Sequence, residues 1–208
     1  MKDNFALFET LDGLFRGARE TVLTLDEFLG GLQGRSYAFA ILALNIPNCI
    51  PTGIPWLSTI TGVPMLVLLF QEFAGRPVPT LPRMIGRRGF TRGKLQHFLK
   101  RARKPIQWLE SAVHARREWW VVGLPRRLML AAWFLNILVL ALPIPFDNLL
   151  PAWAILFFCL ALIEDDGVMA MLGWLLTLLT AVWTAFLLMI GRAAIVTAAA
   201  TVRQVLFD

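Results

Sequence analysis

The sequence is poor in the residues that form disulfides and metal sites. It has only two cysteines and two histidines among 208 residues. Cys49 and Cys159 each lie inside an apolar segment, so we interpret both as reduced, buried small side chains. His97 and His114 lie among lysines and arginines. The sequence therefore predicts neither a disulfide framework nor a metal site.

Charge and tyrosine are also scarce. Charged residues make up 16% of the chain and hydrophobic residues 57%, whereas about a quarter of a soluble domain is charged. Fifteen phenylalanines and eight tryptophans accompany a single tyrosine. We interpret this composition as an integral membrane protein, with the lipid bilayer as its first partner.

The charge that is present is concentrated in one block. Residues 76–127 hold 14 of the 20 lysines and arginines. Because basic residues stay on the cytoplasmic side of a bacterial membrane, this block predicts a multi-pass inner-membrane protein whose segment 76–127 is cytoplasmic. Anionic lipid headgroups, and not nucleic acid, are the expected contact of this basic surface. The candidate membrane-surface residues are Arg87, Arg88 and Arg92.

Hydrophobic periodicity divides the chain into five segments. The fold class that it predicts is an all-α integral membrane protein with two repeated, broken (re-entrant) helical hairpins, amphipathic interfacial helices and one C-terminal transmembrane helix. The segments are N-terminal amphipathic helices (1–35), a first broken hairpin (36–75), a basic interfacial connector (76–127), a second broken hairpin (128–167), and a transmembrane helix with its tail (168–208).

Two signals define the helices outside the hairpins. Residues 5–22 carry an apolar helical stripe, and Thr24 with Glu27 forms a capping-box pattern that begins a second short helix. In the connector, residues 83–103 form a basic amphipathic stretch that Pro105 interrupts. The N-terminal helix is too polar to cross a bilayer and either lies at the interface or packs on the rest of the protein, and the connector is expected to lie on the inner leaflet.

The first hairpin is apolar at both ends and broken at NIPNCIPTGIP. Its first arm, residues 36–46, has 11 residues, whereas a transmembrane helix needs about 20. We therefore expect the chain to enter, break and turn back, which is allowed where the broken backbone is buried in protein or faces water. Two full crossings with kinks at the tip are the alternative.

The second hairpin, broken at LPIPFDNLLP, resembles the first. Asn48 and Pro51 of IPNCIP align with Asn148 and Pro151 of IPFDNLLP. We interpret this as an internal repeat, with chance similarity between Leu-rich segments as the alternative. The orientation of the two copies stays open: hairpins that both enter from the basic side would be parallel, whereas an inverted pair would need the connector to cross or an antiparallel dimer.

Broken helices at mid-membrane are typical of transporter binding sites. The arm that ends at a tip presents unpaired carbonyls to a cation, and the arm that begins there presents unpaired amides to an anion. The predicted ligand- or ion-binding residues are Asn45, Asn48, Thr52, Gly53, Ser58, Thr59, Thr61, Asp147 and Asn148. The predicted structural residues of the tips are Pro47, Pro51, Pro55, Pro143, Pro145 and Pro151.

Asp147 is the one acid in either tip. An acid within a membrane is costly and is a functional candidate by default, but Asp147 is equally explained as a helix-capping residue near a surface. The sequence predicts no cofactor other than a bound sodium or another small ion. It has no nucleophile–base pair, metal cluster or phosphate loop, so we predict that the protein is not an enzyme.

Three segments carry a resemblance to a known family. They are ALNIPNCIPTGIPWLSTITGVPMLVLLFQEFAGR (43–76), PRMIGRRGFTRGKL (82–95) and LPIPFDNLLPAWAILFFCLALIEDDG (142–167). With these motifs the chain resembles the ExoD family of bacterial membrane proteins. The resemblance implies an inner-membrane location and a link to exopolysaccharide synthesis, and it supplies no catalytic residues. Relatives often have glycine before the second-hairpin asparagine, where this chain has Asp147.

The hairpins and the resemblance lead to two classes of function. The first is a transporter of an ion or small solute, such as an ion-coupled anion symporter. Because one copy has few spans with which to enclose a path, we expect a homodimer. The alternatives are a non-transporting accessory or scaffold protein that binds polysaccharide-synthesis proteins, and a lipid-carrier flippase.

Overall fold

The computed structural model describes residues 7–50, 56–82, 86–112, 118–142 and 147–207. Within these ranges it describes only the backbone at 7, 33, 102, 105–112, 118 and 193–207. The elements in chain order are α1 (Leu7–Phe15), β1 (Val22–Thr24), α2 (Leu25–Gly31), α3 (Ser36–Asn45), α4 (Leu57–Phe73), β2 (Gly89–Thr91), α5 (Arg92–Ala112), α6 (Gly123–Ala141), α7 (Leu149–Glu164) and α8 (Gly167–Phe207). Short 3₁₀ turns lie at Gln33–Arg35, Ile46–Cys49 and Glu118–Trp120.

A bundle of α3, α4, α6, α7 and α8 contains the main apolar core. α7 lies at its centre and packs against α3, α6 and α8. The largest fully buried side chains include Trp133, Phe158, Ile41, Met65, Leu69 and Met129. α7 is apolar around its whole circumference, which is typical of a helix with neighbours on all sides.

The bundle includes two helix pairs, α3–α4 and α6–α7, that point in the same direction. At the ends where the helices of each pair connect, which we call the tips, the Thr59 side chain of α4 contacts the Ala141 carbonyl of α6. At the opposite end, the base, Arg126 of α6 contacts Glu72 of α4. The two helix pairs are thus parallel, which is one of the two orientations that the sequence left open.

Among the described residues, two helices are long and apolar enough to cross a membrane: α6 at Gly123–Ala141 and the part of α8 at Gly167–Arg192. The sequence predicted one C-terminal transmembrane helix and treated α6 as a hairpin arm from residue 128. α6 instead begins at Gly123 and includes Arg126 and Arg127 at the base. α4 and α7, with 17 and 16 residues, are shorter. The re-entrant path of the hairpins stays a prediction, and so does the internal repeat.

A second, smaller unit joins α1 to the basic connector. Its buried core consists of Phe15, Leu23 and Leu99. β1 and β2 pair antiparallel, with Leu23 opposite Phe90. The predicted all-α character is confirmed, since the rest of the described secondary structure is helical. The sequence did not predict this short strand pair, because a segment of three residues is too short to show a periodicity.

The helices of this unit also differ from their predicted bounds. α1 ends at Phe15 and not near residue 22, and Gly17 follows with a φ of +140° that favours glycine. α5 begins at Arg92 and continues past Pro105 to Ala112 without the predicted interruption. The carbonyls at the end of α1 accept hydrogen bonds from α5, with Arg92 donating to Leu14 at 2.6 Å.

The predicted capping box at the start of α2 is confirmed. The Glu27 amide donates to the Thr24 hydroxyl at 3.3 Å, and the Thr24 amide donates to the Glu27 carboxylate at 2.9 Å. Hydrogen bonding by the Thr24 backbone, with a further contribution from its side chain, lowers the pKa of Glu27 below the usual 4.5.

We expect α2 to lose stability in acid through Glu27. Because the folded pKa lies below the unfolded value of 4.5, this stabilisation is present above pH 4.5 and is lost as the pH falls through the folded pKa. Amide hydrogen-exchange protection factors of α2, measured across this window, should fall in the native chain. In the Glu27→Gln variant they should be lower at neutral pH and should lack this pH dependence; an unchanged pH profile would contradict the assignment.

Candidate functional site

Asn45 connects the tip of the first helix pair to the second pair by a hydrogen bond. Its side chain is fully buried, and Nδ2 donates a 2.7 Å hydrogen bond to the Ala152 carbonyl in the first turn of α7. From the other side, the Trp153 indole nitrogen donates to the Cys49 carbonyl at 3.2 Å. The 3₁₀ turn after α3 is thereby fixed against the start of α7.

The other predicted polar residues of this tip bind within the bundle as well. Asn48 Nδ2 donates to the Thr61 hydroxyl at 2.9 Å, and that hydroxyl donates to the Leu57 carbonyl at 2.9 Å. Thr59 donates to the Ala141 carbonyl at 3.0 Å. Ser58 is buried one residue before it.

Close packing accompanies these hydrogen bonds. A Cβ atom at Gly62 would lie 2.8 Å from the Ala141 Cβ, so α4 and α6 pack closely near the tips. The structure therefore brings Asn45, Asn48, Thr59 and Thr61 together at the junction of the two helix pairs. Their hydrogen-bonding groups mainly join one helix to another.

The second tip contacts α8. Asp147 is 1% exposed, and its Oδ2 accepts a 2.8 Å hydrogen bond from the Thr184 hydroxyl. Its Oδ1 is buried without a hydrogen-bond partner, as is Oδ1 of Asn148. Asn148 lies at the N-terminus of α7 but makes no side-chain capping bond.

The remaining predicted tip residues fall into two groups. Pro47 lies in the 3₁₀ turn after α3, and the buried Pro151 lies in the first turn of α7, where a missing amide hydrogen costs little. The residues that lie outside the described ranges are Thr52, Gly53, Pro51, Pro55, Pro143 and Pro145.

Sequence reasoning missed a polar stripe between α6 and α8. Asn136 is fully buried, and its Nδ2 donates to the Thr177 hydroxyl at 2.8 Å. Thr180 is also buried, and Thr184 follows it with the bond to Asp147. Three threonines spaced by three and four residues fall on one face of a helix, so their spacing could have revealed this contact.

Ion pairs hold the base. Arg126 Nη2 lies 2.7 Å from Glu72 Oε1; the Glu72 side chain is 7% exposed and that of Arg126 39%. Arg35 Nη2 lies 3.6 Å from Asp165 Oδ2. Glu72 and Asp165, at the ends of α4 and α7, are thus partners of arginines.

The predicted membrane-surface arginines are not equivalent. Arg87 and Arg88 are exposed. Arg92 instead donates to the carbonyls of Leu14 and Arg16 at 2.6 and 2.7 Å, so it holds α1 against α5. In the part of the chain that the structure describes, no three His, Cys, Asp or Glu side chains are grouped to hold a metal ion.

The sequence matches known proteins over most of its length. The model of the family described as "Exopolysaccharide synthesis, ExoD" matches residues 7–186. Protein ExoD of Rhizobium meliloti is 29% identical over 187 residues, which cover 88% of this chain and 77% of that protein. An uncharacterized protein of Synechocystis sp. is 25% identical over 175 residues, which cover 84% of this chain and 82% of that protein. No solved structure matches the chain.

Proposed function

Because the chain belongs to the ExoD family of exopolysaccharide synthesis, we propose that it is a membrane-embedded accessory protein of this process that does not itself transport a solute. The helix bundle lies in the bacterial inner membrane, and the base with the basic connector faces the cytoplasm. There the exposed Arg87 and Arg88 contact the membrane surface or the synthesis proteins.

The observation that carries this proposal is the bonding of the tip side chains. Asn45 and Thr59 donate to backbone carbonyls of the second helix pair. Asn48 donates to Thr61, and Thr61 to the Leu57 carbonyl, within the first pair. Small polar side chains that hydrogen-bond between helices stabilise helix association in membranes. This bonding favours a structural role for the tips over an open ligand site.

The exposed surface of α8 supports the membrane location. Between Gly167 and Arg192 it is long enough for a bilayer core of about 30 Å. Large apolar side chains project from it, including Leu178 at 67% and Val182 at 65% exposed. In the membrane this surface faces lipid or a second copy of the chain, and the lysine and arginine content of the connector orients the base toward the cytoplasm.

Transport of a small cation is the second candidate, and one observation favours it. Buried oxygen atoms without hydrogen-bond partners occur at both tips, namely Oδ1 of Asn45, Asp147 and Asn148. Amide and carboxylate oxygens are suitable ligands for a hard cation. A homodimer would then enclose the path.

The accessory proposal predicts which residues exopolysaccharide output depends on. In a strain of the native host that lacks this protein, plasmid copies carrying Arg87→Gln with Arg88→Gln should restore less polysaccharide than the native sequence. Asn48→Ala should restore nearly all of it at equal protein level, because one tip bond is a minor part of total stability. Arg192→Gln, which removes an exposed arginine outside the connector, is the matched control.

The opposite ranking would support transport. In cells, Asn48→Ala or Asp147→Asn would then abolish polysaccharide output at equal protein level. In liposomes, the purified native protein would transport sodium and these variants would not. Both results together would show that the accessory proposal is wrong. Immunoblots of membrane fractions give the protein level, so loss of folding is separated from loss of function.

A further inference from the structure

Four segments of the chain meet at the base around an open pocket of about 490 Å³. Its lining comes from α1 at Thr10, from the turn between α2 and α3, from the start of α6, and from the end of α7. We call it the base pocket. None of the residues predicted from the sequence as ligands lies in it.

The charged lining of the base pocket is mainly cationic. Arg35 and Arg126 both line it, and Asp165 is the acid among its lining residues. Arg126 uses Nη2 for Glu72, and the 3.6 Å between Arg35 Nη2 and Asp165 is long for a hydrogen-bonded ion pair. A guanidinium carries five N–H donors in a planar fork that matches phosphate.

The base pocket also has apolar lining residues. Leu32, Val121 and Leu162 line it, each less than one tenth exposed. A free inorganic anion would use only the arginines. A lipid whose headgroup carries a phosphate would use both kinds of lining residue, with its phosphate on the arginines and its hydrocarbon against the leucines and valine. Basic pockets between transmembrane helices on the cytoplasmic side bind headgroups of this kind.

We propose that the base pocket binds the phosphate of an anionic lipid through Arg35 and Arg126. This inference rests on the membrane location proposed above. It does not depend on whether the protein acts as an accessory protein or a transporter, because lipid binding is measured on purified protein and polysaccharide output in cells.

Lipid titration of the purified full chain in a neutral detergent tests the proposal. Phosphatidylglycerol should raise the melting temperature by mass action, whereas zwitterionic phosphatidylcholine should raise it much less. Arg35→Gln should weaken phosphatidylglycerol binding about tenfold, since it removes one charge-assisted interaction. Arg127→Gln is the matched control, because this arginine is the exposed neighbour of Arg126 and does not line the pocket. This variant should bind phosphatidylglycerol with the affinity of the native chain.

A second variant protects the test against misfolding. Arg126→Gln combined with Glu72→Gln removes both charges of the ion pair, so neither is left buried alone. This double variant should weaken phosphatidylglycerol binding about as much as Arg35→Gln does. Equal binding of the two lipids, or equal losses for Arg35→Gln and Arg127→Gln, would overturn the proposal. Inorganic phosphate that bound as strongly as phosphatidylglycerol would also overturn it, because the apolar lining would then contribute nothing.

Discussion

Replacing Arg126 by methionine should lower the free energy of unfolding by about 3 kcal/mol, because it leaves the Glu72 carboxylate buried without its cation. The Glu72 side chain is only 7% exposed, and Oε1 accepts the 2.7 Å bond from Arg126. Its Oε2 has no hydrogen-bond partner, so Arg126 provides the compensating charge. We place the loss at the low end for buried ion pairs because 39% of the Arg126 side chain is exposed.

Urea unfolding in a neutral detergent, with no anionic lipid added, measures this loss. The double variant Arg126→Met with Glu72→Met should recover most of the stability, since an apolar pair of similar volume avoids the desolvation of both charges. Arg127→Met is the matched control and should change stability little, because this neighbouring arginine is exposed. A double variant no more stable than Arg126→Met alone would show that the ion pair is not the cause.

Replacing Gly173 by valine should destabilise the contact between α7 and α8 by about 3 kcal/mol, because there is no space for a side chain. A Cβ atom at Gly173 would lie 2.5 Å from two ring atoms of Phe158. Phe158 is fully buried and packs edge-on against Trp174 at 6.1 Å between ring centroids. The ring therefore cannot move away without disturbing the core.

Gly191→Val is the matched control on the same helix. Among the described residues, and apart from the backbone of its own helix turn, no atom lies within 4 Å of a Cβ built there, so this variant reports the intrinsic effect of valine without a clash. Combining Gly173→Ala with Phe158→Leu should be less destabilising than the two single losses together, since the smaller side chain makes room. Equal stability of Gly173→Val and Gly191→Val would contradict the close approach of α7 and α8.

Local patterns predicted much of this protein. Hydrophobic periodicity predicted the helices, and their apolar runs predicted membrane association, which two long apolar helices support. The Thr24 capping box is present as expected, because both of its hydrogen bonds form within four residues. The family resemblance, based on the motifs at the tips, is confirmed by the match over residues 7–186.

The candidate site was predicted in part. Asn45, Asn48, Thr59 and Thr61 do lie together, because the chain reverses between them and adjacent arms must meet. Their partners could not be foreseen: Ala152 and Ala141 contribute only backbone carbonyls, which every residue has. The role of these side chains as interhelical contacts followed only from those partners.

The sequence by itself determined the helical character, the concentration of basic residues and the family, since each depends on composition or on neighbours within a few residues. Only the tertiary structure decided that the two helix pairs point the same way, that Asp147 contacts Thr184, and that Arg35 and Arg126 line one pocket. These facts join residues far apart in the chain. Their geometry depends on how whole helices pack, and packing is set by close fits such as Gly173 against Phe158 that no local pattern encodes.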